Sequence, residues 1–252
     1  MEQAQATETT NKRHAPSPDT GSVAGTTATA APVKSTKRRR IATILRIGDV
    51  DLARDAKFGE YTKSKMCGIV PLSTINDKPL LVQLSGGGRI PKAFGVQKRE
   101  QGDKHVLAFS VEDKDDHSAL ERLRTDLSEC AVDRWSDWVQ GTRPPSDEMI
   151  RGSCNALVSE PRPKRDGQGE WSGLSKATID PVLVETRACR IIDRSTGEEL
   201  SMEHLPGMEW SRMILELKHV YVQSTKSYGM TRVLRYIECT GGDDLDEIVP
   251  LP

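Results

Sequence analysis

PGMEWSRMILELKHVYVQSTKSYGMTRVLRYIEC, running from Pro206 to Cys239, decides the fold class. Two runs rich in β-branched and aromatic residues, Met213–Val222 and Met230–Cys239, flank the polar, glycine-bearing turn STKSYG. The pattern predicts a β-hairpin with a connection longer than two residues. Strict alternation sends Met213, Leu215, Leu217, His219 and Tyr221 one way and Ile214, Glu216, Lys218, Val220 and Val222 the other. In the second run Thr231, Val233, Arg235, Ile237 and Cys239 oppose Met230, Arg232, Leu234, Tyr236 and Glu238. Neither face is wholly apolar, so one side is expected to serve a core and the other a wet partner. Lys218, Lys226, Arg232 and Arg235 interleave with Tyr221, Tyr228 and Tyr236, which points to nucleic acid as that partner.

Upstream, short strands are expected at Ile41–Val50, across Phe58–Leu72 with interruptions at Gly59 and Gly68, at Leu80–Leu84 and at Val106–Val111. The last pairs with Phe94-Gly95-Val96 around the turn REQGDK. Pro181–Asp193 alternates well enough to be a further strand. The loop Ser85–Arg89, SGGGR, invites a phosphate-binding reading but lacks the spacing of a P-loop, and Ile90-Pro91 starts no helix after it. One long helix is expected over His117–Val139, started by Asp115 or Asp116. Leu120, Leu123, Leu127, Ala131, Trp135, Trp138 and Val139 recur at intervals of three and four and form its apolar stripe. On that stripe the two tryptophans read as core. The loop PRPKRDGQGEW, Pro161 to Trp171, joins Arg162 and Lys164 to an isolated tryptophan.

The formal net charge of −1 demands no polyanionic partner, but it is unevenly spread. Residues 1–40 hold seven basic and three acidic side chains, and residues 239–252 hold four acidic and none basic. The first segment, poor in large apolar residues, is expected to be a disordered arm. Its KSTKRRR end supplies Lys34, Lys37, Arg38, Arg39 and Arg40 as a candidate import signal or, alternatively, a phosphate-gripping arm. There is no membrane-length apolar run and no signal-peptide core, so the chain reads as soluble and intracellular. Five scattered cysteines suit reduced thiols. With no C-x-x-C, H-E-x-x-H or G-x-S-x-G, the sequence supports no metal, no cofactor and no catalytic residues.

The order LLVQLSGGGRIPKAFGV, HVLAFSV, amphipathic helix and late hairpin resembles the single-stranded-DNA-binding proteins of nucleocytoplasmic large DNA viruses. The resemblance spans roughly Ile41 to Cys239 and is strongest at Phe94-Gly95-Val96 and Ser227-Tyr228-Gly229. It implies an oligonucleotide-binding (OB) barrel that coats single strands in replication or repair, without sequence preference, in the host nucleus or a viral replication compartment. At the end of the chain Asp243, Asp244, Asp246 and Glu247 precede Ile248 and Leu251. This looks like the acidic tails with hydrophobic tips by which many single-stranded-DNA-binding proteins recruit replication proteins.

The expected fold is therefore α+β and mainly β: an OB-like antiparallel barrel with added strands and the one long helix. Residues 1–40 form a basic arm, 41–240 a single OB-like domain and 241–252 an acidic tail. Stacking is expected from Phe94, Trp171, Tyr221 and Tyr228, and phosphate contact from Lys92, Arg162, Lys164, Lys226, Arg232 and Arg235. The alternative is a virion or nuclear protein–protein interaction module whose basic arm directs import.

Overall fold

The computed structural model describes residues 43–63, 67–100, 102–139, 144–164, 167 and 169–241. The run Lys34–Arg40 and the acidic stretch from Asp243 to Leu251 lie outside these residues. The strands, in chain order, are β1 (Ile44–Arg46), β2 (Ala56–Phe58), β3 (Thr62–Lys63), β4 (Cys67–Thr74), β5 (Leu80–Leu84), β6 (Gly88–Arg89) and β7 (Val96–Lys98). They continue as β8 (His105–Val111), β9 (Arg162–Pro163), β10 (Glu170–Trp171), β11 (Gly173–Ile179), β12 (Arg190–Asp193), β13 (Glu209–Gln223) and β14 (Tyr228–Thr240). The α-helices are α1 (Leu52–Asp55), α2 (Lys114–Trp138), α3 (Asp147–Gly152) and α4 (Pro181–Glu185).

The expected hairpin is β13–β14, longer at its open end than the sequence runs. It sits at the centre of a sheet ordered β1-β5-β13-β14-β11-β8-β7. Along β13 the outer neighbour changes: β5 pairs with Met213–Leu217, and β4 with His219–Gln223. Along β14 it changes from β11, at Val233, to β12, at Tyr236–Cys239. Each handover is marked by one extra residue in the β13–β14 ladder, Lys218 on β13 and Arg235 on β14. Such bulges bend a strand and sharpen its twist, which lets one long strand serve two neighbours. A third bulge falls at Ser211.

The chain is mainly β with one long helix, but the sheet runs open from β1 to β7 rather than closing into a barrel. Nor is it wholly antiparallel, because β1 runs parallel to β5, and β11 and β12 run parallel to β14.

The bulges also decide the core. Because side chains alternate strictly, one inserted residue swaps the faces of everything beyond it. The buried row on the α2 side therefore runs Met213, Leu215, Leu217 and then Val220, Val222 on β13, while Ile214 and Glu216 are buried on the other face. On β14 it runs Tyr228, Met230, Arg232, Leu234 and then Ile237, Cys239, with Val233 buried on the other face. Unbroken alternation would have left His219 and Tyr221 with the leucines. Helix α2 packs on this buried face: the Tyr228 ring lies 5.5 Å from Trp135 and 6.5 Å from Trp138, and Trp138 meets Phe58 at 5.5 Å. A buried leucine or aromatic side chain stabilises by about 1.5–3 kcal/mol, so a slip of register that exposed this row would unfold the sheet.

Helix α2 starts three residues before His117, at Lys114, and its cap is Asp113, whose carboxylate accepts the Asp116 amide at 2.8 Å. Asp116 is not the cap. Its carboxylate turns away from the helix to accept the Ser85 and Gly86 amides at 2.9 and 2.8 Å. Pro181–Asp193 is not one strand: Asp180 caps α4 with Pro181 in the first turn, and only Arg190–Asp193 pairs. Strand β1 covers just Ile44–Arg46, because Ile47–Asp49 coils into a 3-10 turn.

The glycines of the Ser85–Arg89 loop are there for close approach. A Cβ on Gly88 would stand 2.1 Å from the Ser110 carbonyl oxygen and 2.8 Å from Trp210 Nε1. The obstacle is backbone, so Gly88→Ala should cost about 1–3 kcal/mol. Urea unfolding should show the midpoint falling; a wild-type midpoint would mean that the loop does not dock this closely.

Candidate nucleic-acid interface

What the bulges remove from the core they place on the sheet face opposite α2. Tyr221 stands across the ladder from Gly229, and its phenol lies over that glycine: a Cβ there would come within 2.6 Å of the Tyr221 oxygen. Asn155 Nδ2 donates to the same oxygen at 3.0 Å and holds the half-buried ring across the strand.

Next to it on β13, His219 is half-buried among cations. Burial, then Lys218, Lys104 and Arg99, push its pKa down to about 4, with Glu216 opposing. Arg99, just after β7, donates from Nη2 to Thr178 Oγ1 at 3.0 Å. Lys104, just before β8, lies 3.6 Å from Asp180. Glu216 itself is held by Arg235, whose Nε donates at 2.7 Å.

The far end of this face is neutralised. Arg212 lies over the Tyr236 ring at 5.6 Å, donates to Gln83 at 3.0 Å and approaches Glu238 at 3.7 Å, while the Tyr236 hydroxyl donates to Glu238 at 2.6 Å. An open cleft of about 530 Å³ adjoins it, lined by the glycine loop, Trp210, three glutamates (Glu112, Glu209, Glu238) and Arg194 with Arg212. Those carboxylates, and the use of the Ser85 and Gly86 amides by Asp116, make it a poor phosphate cradle.

The residues expected from sequence to touch nucleic acid do not share one surface. Tyr221 is on the open face, and Lys226 is exposed in the β13–β14 turn, with a positive φ of 67°. Arg162, Lys164 and Trp171 meet on a separate two-stranded ribbon, where Arg162 pairs with Trp171 and Lys164 Nζ lies 4.7 Å from the indole.

Three others are taken into the interior. Tyr228 is 0% exposed and donates to the Ile150 carbonyl at 3.0 Å, so its ring offers no face to a base. Phe94 is 9% exposed and equally withdrawn. Arg232, 7% exposed, fills the seam where β14 and β11 part, donating to the Leu157 carbonyl at 2.8 Å and to Ser175 Oγ at 2.6 Å. Burial draws its pKa down to about 10, which still leaves it charged at neutral pH.

Arg235 faces the open side but is bound to Glu216. Lys92 is exposed, with its alkyl chain against Gly207, just before β13 begins. From there to Tyr221 is about twelve residues of strand, roughly 40 Å, so Lys92 and the tyrosine do not form a common groove.

Sequence reasoning passed over Arg99 and Lys104, noted Lys218 only among the hairpin's basic residues, and gave His219 no contact. The first two sit in a stretch that reads only as a turn, and the last two were assigned to opposite faces by an alternation that the bulge breaks.

Other chemistry is sparse. Among the described residues no group of three or more His, Cys, Asp or Glu is placed to hold a metal ion, and no helix is long and apolar enough to cross a membrane. Burial raises Cys154 to about 11 and Cys189 and Cys239 to about 12, which keeps these thiols protonated and unreactive.

No family model matches the chain, and no curated protein matches it. Among solved structures it is similar to the single-stranded DNA-binding protein from bacteriophage Enc34 in complex with ssDNA, at 13% identity and a TM-score of 0.37, over 76% of this chain and 99% of that one. The same phage protein without DNA gives 11% identity and a TM-score of 0.37 over 78% and 96% of the two chains. Its C-terminal truncation gives 13% and 0.34 over 75% and 96%.

The position of His219 has a consequence for stability. Its folded pKa of about 4 lies below the ordinary histidine value of 6.5, so the unfolded chain binds more protons between those values. Stability is then lost as pH falls through that window. Chemical denaturation from pH 7 to pH 4 should show His219→Gln losing less stability than wild type; equal losses would place the imidazole in open solvent.

Proposed function

We propose that the chain binds single-stranded DNA across the sheet face opposite α2, without sequence preference and without catalysis. One observation carries this reading: the phenol end of Tyr221 lies over Gly229 and accepts a hydrogen bond from Asn155, on the same face as a group of cations. Proteins that hold single strands combine aromatic platforms with a basic track, and every base has a face to stack. A duplex hides those faces between its pairs, so a platform of this kind favours the unpaired strand. The ribbon bearing Trp171, Lys164 and Arg162 adds a second aromatic-and-basic element, and Lys226 a further cation.

On this reading the protein coats single strands in replication or repair, as its resemblance to the proteins of nucleocytoplasmic large DNA viruses implies. Lys34 to Arg40 would direct nuclear import, and the acidic stretch Asp243 to Leu251 would recruit replication proteins.

Fluorescence anisotropy with labelled single- and double-stranded oligonucleotides tests it. Single strands should bind more tightly, with affinity falling as salt rises. Tyr221→Leu should weaken single-strand binding by about 1–3 kcal/mol, the value of one stacked base, and Tyr221→Phe should nearly preserve it. Equal affinity for duplex, or no loss in Tyr221→Leu, would contradict the proposal.

A further inference from the structure

We infer that Arg99, Lys104, Lys218 and His219 form a single phosphate-binding site, and that His219 takes up a proton from solvent when a phosphodiester occupies it. The inference rests on the single-strand reading only for the identity of the ligand.

The register brings these groups to one stretch of the face: Thr178, which Arg99 grips, stands beside Val233 on β14, two residues from Thr231, the ladder partner of His219. Arg99 is steered by a neutral hydroxyl, that of Thr178, and among the described residues it pairs with no carboxylate. Lys218, the extra residue of the bulge, likewise has no carboxylate partner among them. Lys104 has Asp180, but at 3.6 Å and with both side chains partly exposed, a contact that a better anion can replace. The remaining nearby carboxylate, Glu216, is occupied by Arg235 from β14.

His219 sits among these groups with uncharged neighbours on both flanking strands, Pro71 on β4 and Thr231 on β14. The charged groups facing it are therefore Lys218 and Glu216 from its own strand, and Lys104 and Arg99 from the β7–β8 hairpin. Their sum is positive, and this opposes a further positive charge on the imidazole. A phosphodiester keeps its single negative charge across the neutral and mildly acidic range. Placed among the four groups, it cancels much of the field that holds the ring neutral. The imidazole nitrogen then gains a proton from water and donates it as a hydrogen bond to a phosphate oxygen; no bond to phosphorus forms or breaks. Binding and protonation are linked, so each must strengthen the other.

Two probes separate this site from the wider proposal: a thymidine oligonucleotide of about twelve residues, and sulfate, an anion without bases. NMR of the full chain should show the His219 imidazole titrating at higher pH when either probe is bound. Oligonucleotide affinity at fixed salt should rise about tenfold from pH 7.5 to pH 5.5 in wild type, within the limit of tenfold per unit for one proton. In His219→Gln it should stay level. Arg99→Ala and Lys218→Ala should each reduce the slope of log affinity against log salt by about 0.7, the value of one phosphate contact on a single strand.

Oligonucleotide binding that is lost in Tyr221→Leu, yet leaves the His219 titration and both salt slopes unchanged, would overturn this site and keep the single-strand reading. A His219 titration raised by sulfate without any oligonucleotide binding would keep the site and remove the single-strand reading. No response to either probe would overturn both.

Discussion

A β-strand sends its side chains alternately to opposite faces, and every other feature of this molecule answers to that constraint. β13 and β14, of fifteen and thirteen residues, are each too long to serve one neighbour. Each passes from one partner strand to the next across a single inserted residue, Lys218 or Arg235. The insertion keeps an apolar row turned towards α2 on both sides of the handover, and it throws the intervening polar residues to the other face. The device that completes the core thus also assembles Lys218, His219 and Tyr221 on the open side. Core and interface have a common origin in the same two bulges.

Charge on the open face is organised by what is paired. Arg235 and Arg212 are neutralised by Glu216 and Glu238, and Arg212 is further held against Tyr236. Around His219 the cations of the β7–β8 hairpin and of the bulge outnumber the carboxylates. A chain with a formal net charge of −1 can therefore offer a local positive site, because association responds to nearby charge and distant charges are screened. The glycine loop illustrates the converse. Its shape suggests an anion cradle, but Asp116 already fills two of its amides and Gly88 is needed to let Trp210 and Ser110 approach.

Much of the fold was legible in the sequence, and the limits are physical. The hairpin, the β7–β8 pair, Leu80–Leu84 and the long helix with its two core tryptophans follow from periodicity and turn chemistry, which are local. The faces of β13 and β14 do not, since a bulge leaves no mark in composition and one inserted residue inverts every assignment beyond it. Tyr228 and Arg232 resemble surface ligands in type. Only tertiary structure supplies the Ile150 carbonyl, the tryptophans and the β11–β14 seam that draw them inward. Pro181–Glu185 alternates like a strand, yet Asp180 and Pro181 together start a helix. Tyr221 was legible as an aromatic candidate, while Arg99 and Lys104 were not, because a turn sequence does not reveal which strand lies beneath it.

The most direct test of the central claim, that a single strand lies on the face opposite α2, is the pattern of backbone amide shifts when a thymidine oligonucleotide is added to the full chain. The largest changes should fall at Tyr221, Gly229, Thr231, Thr178 and Arg99. Changes concentrated on α2 or along the glycine loop from Ser85 to Gly88, with those residues silent, would contradict it.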